Sequence, residues 1–524
     1  MKRILLGSFL CLSLLLVQAQ TAVRLPENWH LQSPAEGSYY GIGYDRAIQG
    51  ILKDRTPKPV VVAVIDGGTD VTHPDLSANI WHNSKEMAGN GLDDDQNGYV
   101  DDVNGWNFIG GPGGDVDHDN LEFTREYKKY RERFAGMSPA DAGKADQEGY
   151  QRFLKLDKEY KERLTRTQEE KAQFDQVVGI FRMAKETFTT ELGKADFSVE
   201  ELQAYSPKNA YTGGLKDFML LAMQENLEDE ISTGQEHYEN SLKYAYDLDF
   251  DSRSMVGDDI SNPRERFYGN NHVTGPDALH GTHVAGIIGA VHNDIGMDGI
   301  CSSVQLMIIR CVPDGDERDK DVANSIRYAT DNGARIINMS FGKSISPDKE
   351  VVDEAVKYAE SKGVLLVHAA GNDGKNIDER DNFPNDHYLS GGTCSTWIEV
   401  GASGPTADEL AAEFSNYGRK SVDVFAPGVD IYSTVPNNAY KREDGTSMAS
   451  PVVTGIAAAL FSYFPELTAV EVKEIIMKGS LKPKKIKVLV PGQDKNRTRL
   501  KKLCVSGGIA NLEGAAKLAA KETK

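Results

Sequence analysis

Cysteine is scarce in this sequence, with five residues in a chain of 524. Cys11 lies in an apolar N-terminal segment, and the other four are Cys301, Cys311, Cys394 and Cys504. Four cysteines are too few to form a disulfide framework for a chain of this length. We interpret them as small buried apolar side chains. In an oxidising compartment they would still allow three alternative pairings.

Positive charge is also in deficit, because 59 Lys and Arg face 79 Asp and Glu and give a formal net charge of -20. Nucleic acids and anionic membranes require clustered basic residues, so this balance argues against both as partners. It is typical of a soluble protein that binds cations. Beyond the N-terminus, no apolar run is long enough to predict a membrane span in the mature chain.

The N-terminus has the pattern of an export signal. Lys2 and Arg3 precede an apolar stretch from Ile4 to Val17, and Val17 and Ala19 are small residues suited to a cleavage site. A membrane anchor would need a longer apolar span. We therefore predict a signal peptide over residues 1–19 and an exported protein, either periplasmic or extracellular.

Several short apolar runs rich in β-branched residues predict buried parallel strands. They are "PVVVAVIDGG", "VQLMIIRCV", "ARIINMSFG", "GVLLVHAAGN", "WIEVGAS" and "SVDVFAPG". Helical segments such as "DVANSIRYATDNG" alternate with them, which predicts an α/β fold with a parallel sheet covered by helices on both faces. Site residues are then expected at the carboxyl ends of the strands.

The pattern changes over residues 115–264, where apolar residues recur at helical spacing on a charged background. Ser198 and Glu201 have the spacing of a capping box. We predict a helical insertion that forms a small bundle or hairpin, since no heptad is sustained. The predicted organisation is a signal peptide (1–19), the first part of the α/β domain (20–114), the insertion (115–264) and the second part (265–524).

Three short segments carry the residue types of nucleophilic catalysis by serine. Asp66 follows a buried strand, "HGTHVAG" begins at His280, and Ser447 lies in "DGTSMASP". A serine nucleophile needs a histidine base, and that base needs a carboxylate to orient it. Spacing alone does not choose between His280 and His283 as the base.

Together these segments resemble the signature motifs of the subtilisin-like serine peptidases, the subtilases, in the same chain order. The resemblance covers about Tyr40–Gly110 and Asp277–Lys517, and it does not cover the insertion. It implies that Ser447 is the nucleophile, His280 the base and Asp66 the orienting carboxylate. "HAAGNDG" is similar to the segment that carries the oxyanion asparagine, which implies that role for Asn372.

The resemblance also implies that substrate adds to the protein as an extended strand. "NMSFGK" would form one edge and one wall of the first specificity pocket, and "HAAGN" would form the opposite wall. The residues implied are Ser340, Phe341, Gly342, Ala369, Ala370 and Gly371. The second edge would fall in "PDGDERDKD", whose carboxylates are either a solvated loop or the source of a preference for Lys or Arg two to four residues before the cut.

An acidic loop predicts a calcium site. In "NGLDDDQNGYVDD", Asp93, Asp95, Asn97 and Asp101 stand at positions one, three, five and nine of an EF-hand-like loop, with Asn104 in place of the glutamate at twelve. The alternative is an acidic turn without a metal. The family resemblance implies a second structural Ca²⁺ site, formed by Asp75, the Asn293 side chain and the carbonyls of Val291, Ile295 and Met297.

We therefore expect an exported, calcium-stabilised serine endopeptidase that acts on proteins or peptides through an acyl-enzyme. Asp66 and His280 are 214 positions apart in the sequence, far more than in compact subtilases. The insertion is therefore expected either to control access to the cleft, to recognise a partner or to be a passive excursion. The alternative function is an inert subtilase core that serves as a binding or scaffold protein through its helical insertion.

Overall fold

The computed structural model describes residues 25–35, 37, 39–142, 146–224 and 226–523. The predicted signal peptide, residues 1–19, lies outside these ranges. By internal contacts, Phe123–Phe250 forms one compact unit, which we call the helical unit. The described residues from 25 to 122 and from 251 to 523 form the other, which we call the sheet unit. The helical unit lies within the predicted insertion 115–264.

The helices account for most of the regular structure. In chain order they are α1 (Glu122–Phe134), α2 (Gln147–Leu192), α3 (Val199–Ala204), α4 (Ala210–Gln224), α5 (Leu227–Asn240), α6 (Arg253–Val256), α7 (Leu279–Gly289), α8 (Asp319–Asp331), α9 (Lys349–Ser361), α10 (Thr446–Tyr463), α11 (Ala469–Gly479) and α12 (Leu512–Glu522). Among the described residues, none of these helices combines the length and the apolar character needed to cross a bilayer.

The strands are short and mostly buried. They are β1 (Val60–Asp66), β2 (Gly105–Asn107), β3 (Gly110–Gly111), β4 (Gly114–Asp115), β5 (Val304–Arg310), β6 (Ile336–Met339), β7 (Leu365–Ala369), β8 (Trp397–Ser403), β9 (Val424–Pro427), β10 (Ile431–Val435), β11 (Ala439–Glu443), β12 (Val488–Leu489) and β13 (Arg497–Thr498).

Seven of these strands form one parallel sheet in the order β2-β5-β1-β6-β7-β8-β9. Alternate residues of β1 point to opposite faces. Val62 and Val64 join the core formed with α7, α10, α11 and α12, whereas Ala63 and Ile65 join the core formed with α8 and α9. The predicted α/β fold with helices on both faces is confirmed.

The helical unit has its own apolar core. The second half of the 46-residue helix α2 contributes Phe174, Phe181 and Phe188, which are buried against residues of α3, α4 and α5. The capping box predicted for α3 is confirmed, since Ser198 and Glu201 each accept a hydrogen bond from the other's backbone N–H. The packing of α2 with three shorter helices agrees with a small bundle.

All four cysteines among the described residues are buried and free. Burial raises the pKa of the Cys301 thiol to about 12, because the thiolate would be poorly solvated there. The interpretation of these residues as small apolar core side chains is confirmed.

Candidate active site

Asp66 and His280 meet at the carboxyl end of β1. Asp66 is the last residue of that strand and is buried, and His280 is the second residue of α7. The His280 Nδ1 atom lies 2.8 Å from Asp66 Oδ1, which also accepts a hydrogen bond from the Gly67 N–H. A Cβ at Gly281 would clash with the Gly68 carbonyl oxygen, so glycine allows the start of α7 to approach the end of β1.

The electrostatic surroundings of His280 favour its protonated form. Burial disfavours the imidazolium, but the charge of Asp66 and its hydrogen bond outweigh this and raise the pKa of His280 above its ordinary value. Its neighbour His283 is different, because it is fully buried and its Nε2 faces the carbonyl oxygens of Ile431 and Lys441. Burial lowers the pKa of His283 to about 3. Of these two histidines, His280 is the one that contacts a carboxylate.

Ser447 is the second residue of α10, where backbone N–H groups have no partner within the helix. Its Oγ donates to the Ser340 carbonyl oxygen at 3.1 Å, and the Ser340 Oγ donates to the Ser447 carbonyl oxygen at 3.0 Å. Ser340 also lines the same cavity as His280. In the described part of the chain Ser447 Oγ bonds to the Ser340 carbonyl oxygen and makes no hydrogen bond to His280.

Asn372 follows β7 and is held by the first residue of α10. Its Oδ1 accepts hydrogen bonds from both the N–H and the Oγ1 of Thr446, each at 2.9 Å. Thr446 Oγ1 in turn accepts from the Gly371 N–H at 3.1 Å. Because Oδ1 is occupied by two donors, the Nδ2 group of this exposed residue points away from them and is available as a donor.

The predicted pocket walls leave the sheet side by side. Met339 at the end of β6 pairs with His368 of β7, so the segments Ser340–Gly342 and Ala369–Gly371 emerge from adjacent parallel strands. Ala369 and Ala370 are buried, and the Asn416 side chain donates to the Ala370 carbonyl oxygen at 2.8 Å. All six predicted wall residues are thus brought to one edge of the sheet.

The loop "PDGDERDKD" is neither wholly solvated nor wholly available to a ligand. Glu317, Asp319 and Asp321 are buried. Asp321 pairs with Arg253 and Asp319 with Lys343, each at 2.8 Å. Asp319 and Asp321 already have partners within the sheet unit, so the loop is not simply solvated, and the preference for Lys or Arg stays a prediction.

A cavity of about 250 Å³ lies beside His280. Its lining includes the carboxylates of Asp117, Asp277 and Asp314, together with Arg310. Arg310 is buried, and its guanidinium donates to the carbonyl oxygens of Gly67 and Val116 and to Asn107 Oδ1. Counting Asp66, which pairs with His280, four carboxylates line this cavity beside one guanidinium and leave it with an excess of negative charge.

The residues of the calcium site implied by the family resemblance are close together. Asp75 is fully buried, and its carboxylate accepts hydrogen bonds from Asn293 Nδ2 at 3.1 Å, the Met297 N–H at 3.3 Å and the Tyr440 hydroxyl at 2.7 Å. The Val291 N–H donates to the Asp75 carbonyl oxygen. Ile295 is adjacent, since its N–H donates to Asn293 Oδ1 at 3.2 Å. These neutral donors stabilise the buried carboxylate without a metal, whereas a divalent cation would need oxygen ligands, namely the carboxylate together with the Asn293 side-chain oxygen and backbone carbonyl oxygens of this loop.

The calcium site predicted in the acidic loop differs from the carboxylate cluster that the structure forms there. Asp95 clusters with Glu86 and Asp102, and one ligand atom of each lies within 4.8 Å of the others. By contrast, Asp93 accepts from the N–H groups of residues 97 and 98, and Asp101 accepts from those of residues 89, 90 and 91. Asp93 and Asp101 therefore shape the backbone of the loop rather than joining the carboxylate cluster.

The carboxylate cluster has the chemistry of a hard-cation site. Glu86 is 6% exposed, and its Oε2 is buried with no hydrogen-bond partner in the described structure. Burial raises the pKa of Asp102 to about 6, although Tyr328, Asn97 and Asn83 donate hydrogen bonds to it. Asn97 thus contacts the cluster through its Nδ2 atom. Sequence reasoning missed Glu86 and Asp102, and the adjacent pair Asp101–Asp102 was the only available signal.

Comparison with known proteins agrees with this geometry. A model of the Subtilase family matches residues 58–507. This chain belongs to the subtilase family. The subtilase is 36% identical over 262 residues to a thermophilic serine proteinase from Bacillus sp. (strain AK1), in a match that covers 49% of this chain and 57% of the relative. It is 36% identical over 196 residues to subtilisin DY from Bacillus licheniformis, covering 37% of this chain and 67% of subtilisin DY.

The matched part of this subtilase spans a little more than half of the AK1 proteinase's own length. Among solved structures, proteases from Pseudoalteromonas arctica match with a TM-score of 0.47 and 19% identity, covering 94% of this chain and 97% of that one.

Proposed function

We propose that this subtilase is a serine endopeptidase in which Ser447, His280 and Asp66 form the catalytic triad. The observation that carries the proposal is the 2.8 Å contact between His280 Nδ1 and Asp66 Oδ1. A neutral imidazole with its proton on Nδ1, facing Asp66, leaves Nε2 free to accept a proton from a serine hydroxyl. Family membership supports the same assignment.

In the proposed reaction Ser447 Oγ attacks the scissile carbonyl carbon while its proton passes to His280 Nε2. The Asp66 carboxylate stabilises the imidazolium that forms. Collapse of the tetrahedral intermediate breaks the C–N bond, and the imidazolium gives its proton to the leaving amine. Water then attacks the acyl-enzyme by the same route in reverse and releases the acid product.

Asn372 and the Ser447 N–H are the proposed oxyanion donors. Support comes from the two hydrogen bonds of Thr446 to Asn372 Oδ1, which orient the Asn372 amide with its N–H groups free. Donors fixed before the reaction stabilise the developing negative charge without reorganising. Ser340–Gly342 is proposed to pair with the substrate backbone, and Ala369–Gly371 to form the facing pocket wall.

The acidic cavity beside His280 supports a preference for Lys or Arg among the two to four residues before the cleaved bond. Profiling with a peptide library is expected to show enrichment of basic residues there, because four carboxylates and one guanidinium line the cavity. Asp314→Asn should weaken that enrichment, while Asp408→Asn, an exposed aspartate whose partner is Arg497, should not. Indifference of the wild-type enzyme to these positions would remove the preference.

Calcium is proposed as a structural ion at two sites. Asp75, Asn293 and the carbonyls of residues 291, 295 and 297 would hold one ion. Glu86, Asp95 and Asp102 would hold the other, in place of the ligand set with Asp93 and Asp101 expected from the loop pattern. The ion would neutralise buried carboxylates and fix the loops that carry them.

Export and a role for the helical unit complete the proposal. The basic and apolar N-terminal pattern supports secretion to the periplasm or beyond, where protein or peptide substrates would be met. The separate compactness of Phe123–Phe250 supports a distinct task, either control of access or recognition of a partner. The same observation is what favours the alternative of a binding or scaffold protein.

Hydrolysis of an unfolded protein by the purified chain tests the proposal. Wild type should cleave it, and Ser447→Ala and His280→Ala should each lower kcat by a factor of about 10⁶ or to background. Equal cleavage by wild type and Ser447→Ala would assign the activity to a contaminant. The scaffold alternative would then lead.

A further inference from the structure

A buried pair of a histidine and a glutamate lies directly behind the segment Ser340–Gly342. His368 is in β7 and Glu399 is in the adjacent strand β8, and both side chains are buried. The His368 Nδ1 atom lies 3.0 Å from each oxygen of the Glu399 carboxylate. The Trp397 indole N–H donates to Glu399 Oε2 at 2.8 Å. The mechanism proposed above uses none of these side chains.

The second ring nitrogen of His368 contacts the substrate-binding segment. Nε2 lies 2.8 Å from the Phe341 carbonyl oxygen. A carbonyl oxygen can only accept, so Nε2 must carry a proton and donate it. The Glu399 carboxylate contacts Nδ1 and fixes the orientation of the ring. The pair therefore presents an N–H group to Phe341 in one orientation.

Two consecutive carbonyl groups of this segment accept hydrogen bonds from side chains on different elements. The Ser340 carbonyl oxygen accepts from Ser447 Oγ on α10, and the Phe341 carbonyl oxygen accepts from His368 on β7. Because each peptide group is planar, fixing the Phe341 carbonyl also fixes the N–H of Gly342. The direction of the Phe341 carbonyl thus determines how the segment presents its hydrogen-bonding groups to a peptide.

We infer that His368 is a positioning residue for substrate, which acts by holding the Phe341 carbonyl and so the edge strand Ser340–Gly342. Glu399 orients His368 for this task. The inference rests on the proposed function, because it concerns the pairing of a peptide with that edge. It predicts a larger effect on substrates long enough to pair with the edge than on those that reach only the first pocket.

Two amide substitutions allow the two contacts of the His368 ring to be tested separately. In His368→Gln, the side-chain N–H₂ group reaches the place of Nε2 and can still donate to Phe341. In His368→Asn, the shorter side chain places N–H₂ near Nδ1, where it can donate to Glu399 but not to Phe341. His368→Gln leaves the buried Glu399 without its histidine partner and should lower Tm more than His368→Asn does.

KM should change most in His368→Asn, whereas Tm should change most in His368→Gln. On an extended peptide His368→Asn should raise KM about tenfold, the effect of one lost hydrogen bond, while His368→Gln stays within about twofold of wild type. On a short ester that occupies only the first pocket, both variants should change KM less than His368→Asn does on the extended peptide. Titration of active sites with a fluorophosphonate gives the concentration of folded enzyme in each preparation.

A KM that follows Tm across the two variants, or the same KM change on the short ester, would overturn the inference. If His368→Asn yields no folded enzyme, the apolar pair His368→Leu with Glu399→Met removes the contact without leaving a buried charge. That double variant should raise KM on the extended peptide about tenfold and change KM less on the short ester. A wild-type enzyme inert toward both substrates would instead overturn the proposed function.

Discussion

The Asp66 carboxylate determines which nitrogen of His280 carries the proton. It lies 2.8 Å from Nδ1, and its charge raises the pKa of the imidazole against the opposing effect of burial. Catalysis needs a neutral His280 that can accept the proton of Ser447. Activity should therefore be lost as the pH falls through this raised pKa, because the protonated base cannot act.

Replacing Asp66 by Asn tests this role. Asp66→Asn removes the charge that raises the pKa of His280, so the acid limb of kcat/KM should move to lower pH. The amide also stabilises the wrong tautomer, and kcat should fall by about 10⁴. A pH–rate profile of both proteins measures the two effects. An acid limb unchanged in Asp66→Asn would show that a group other than His280 controls it.

At the scale of elements, buried strands were the most predictable part of the molecule. "PVVVAVIDGG" is apolar on both faces because β1 lies between β5 and β6 with helices on both sides, and this pattern is visible in the sequence. The position of Asp66 at the strand end follows from it. The hydrogen bond of Ser447 to Ser340 could not be predicted, since it depends on a rotamer in the folded state.

Long-range carboxylate clusters were the least predictable part. The loop pattern identified Asp95, but Glu86 and Asp102 depend on how the chain folds back on itself. Likewise, nothing in "LLVHAAGN" distinguishes His368 as the partner of a glutamate 31 residues later. Such contacts arise from the pairing of strands, which local spacing does not encode.

The carboxylate cluster of Glu86, Asp95 and Asp102 should make the stability of the protein depend on both calcium and pH. Because the pKa of Asp102 is raised to about 6 without a cation, the metal-free protein should lose stability as the pH rises from about 4 to about 6. Calcium should remove this loss and raise Tm, since it binds the ionised folded state. Tm measured in EDTA and in calcium, for wild type and Asp102→Asn, checks both effects.

Asp102→Asn serves as the matched control, because it lacks the titrating carboxylate, and its Tm should rise less on addition of calcium. Adding Asp75→Asn to that variant should remove the rest of the Tm increase, which comes from the other proposed site. If EDTA leaves Tm unchanged and the purified protein contains no calcium, neither site holds the ion.

At the scale of the whole molecule, the function of the helical unit can be tested by a deletion whose bounds follow from the structure. Residues 115–122 and 251–264 belong to the sheet unit, where Arg253 forms a buried ion pair with Asp321. A deletion should therefore remove only Phe123–Phe250 and join residues 122 and 251 by a flexible linker. A deletion over the whole of 115–264 would also remove Arg253 and leave Asp321 unpaired.

If the helical unit restricts access, its deletion should raise kcat/KM on a folded protein substrate several-fold more than on a short peptide. Small substrates enter a cleft past an obstruction that excludes large ones, which is the physical reason for the difference. Kinetics on the two substrates, with Tm as a control for folding, measures it. Equal changes on both would exclude a role in access and leave partner recognition or a passive excursion.

The most direct test of the central claim is covalent labelling by a fluorophosphonate. The reagent forms a bond to a serine oxygen only where a base accepts the proton and donors stabilise the developing charge. We predict stoichiometric labelling of wild type, with peptide mapping placing the adduct on Ser447, and no labelling of Ser447→Ala. A folded wild-type protein that does not label, or that labels at another serine, would contradict the account.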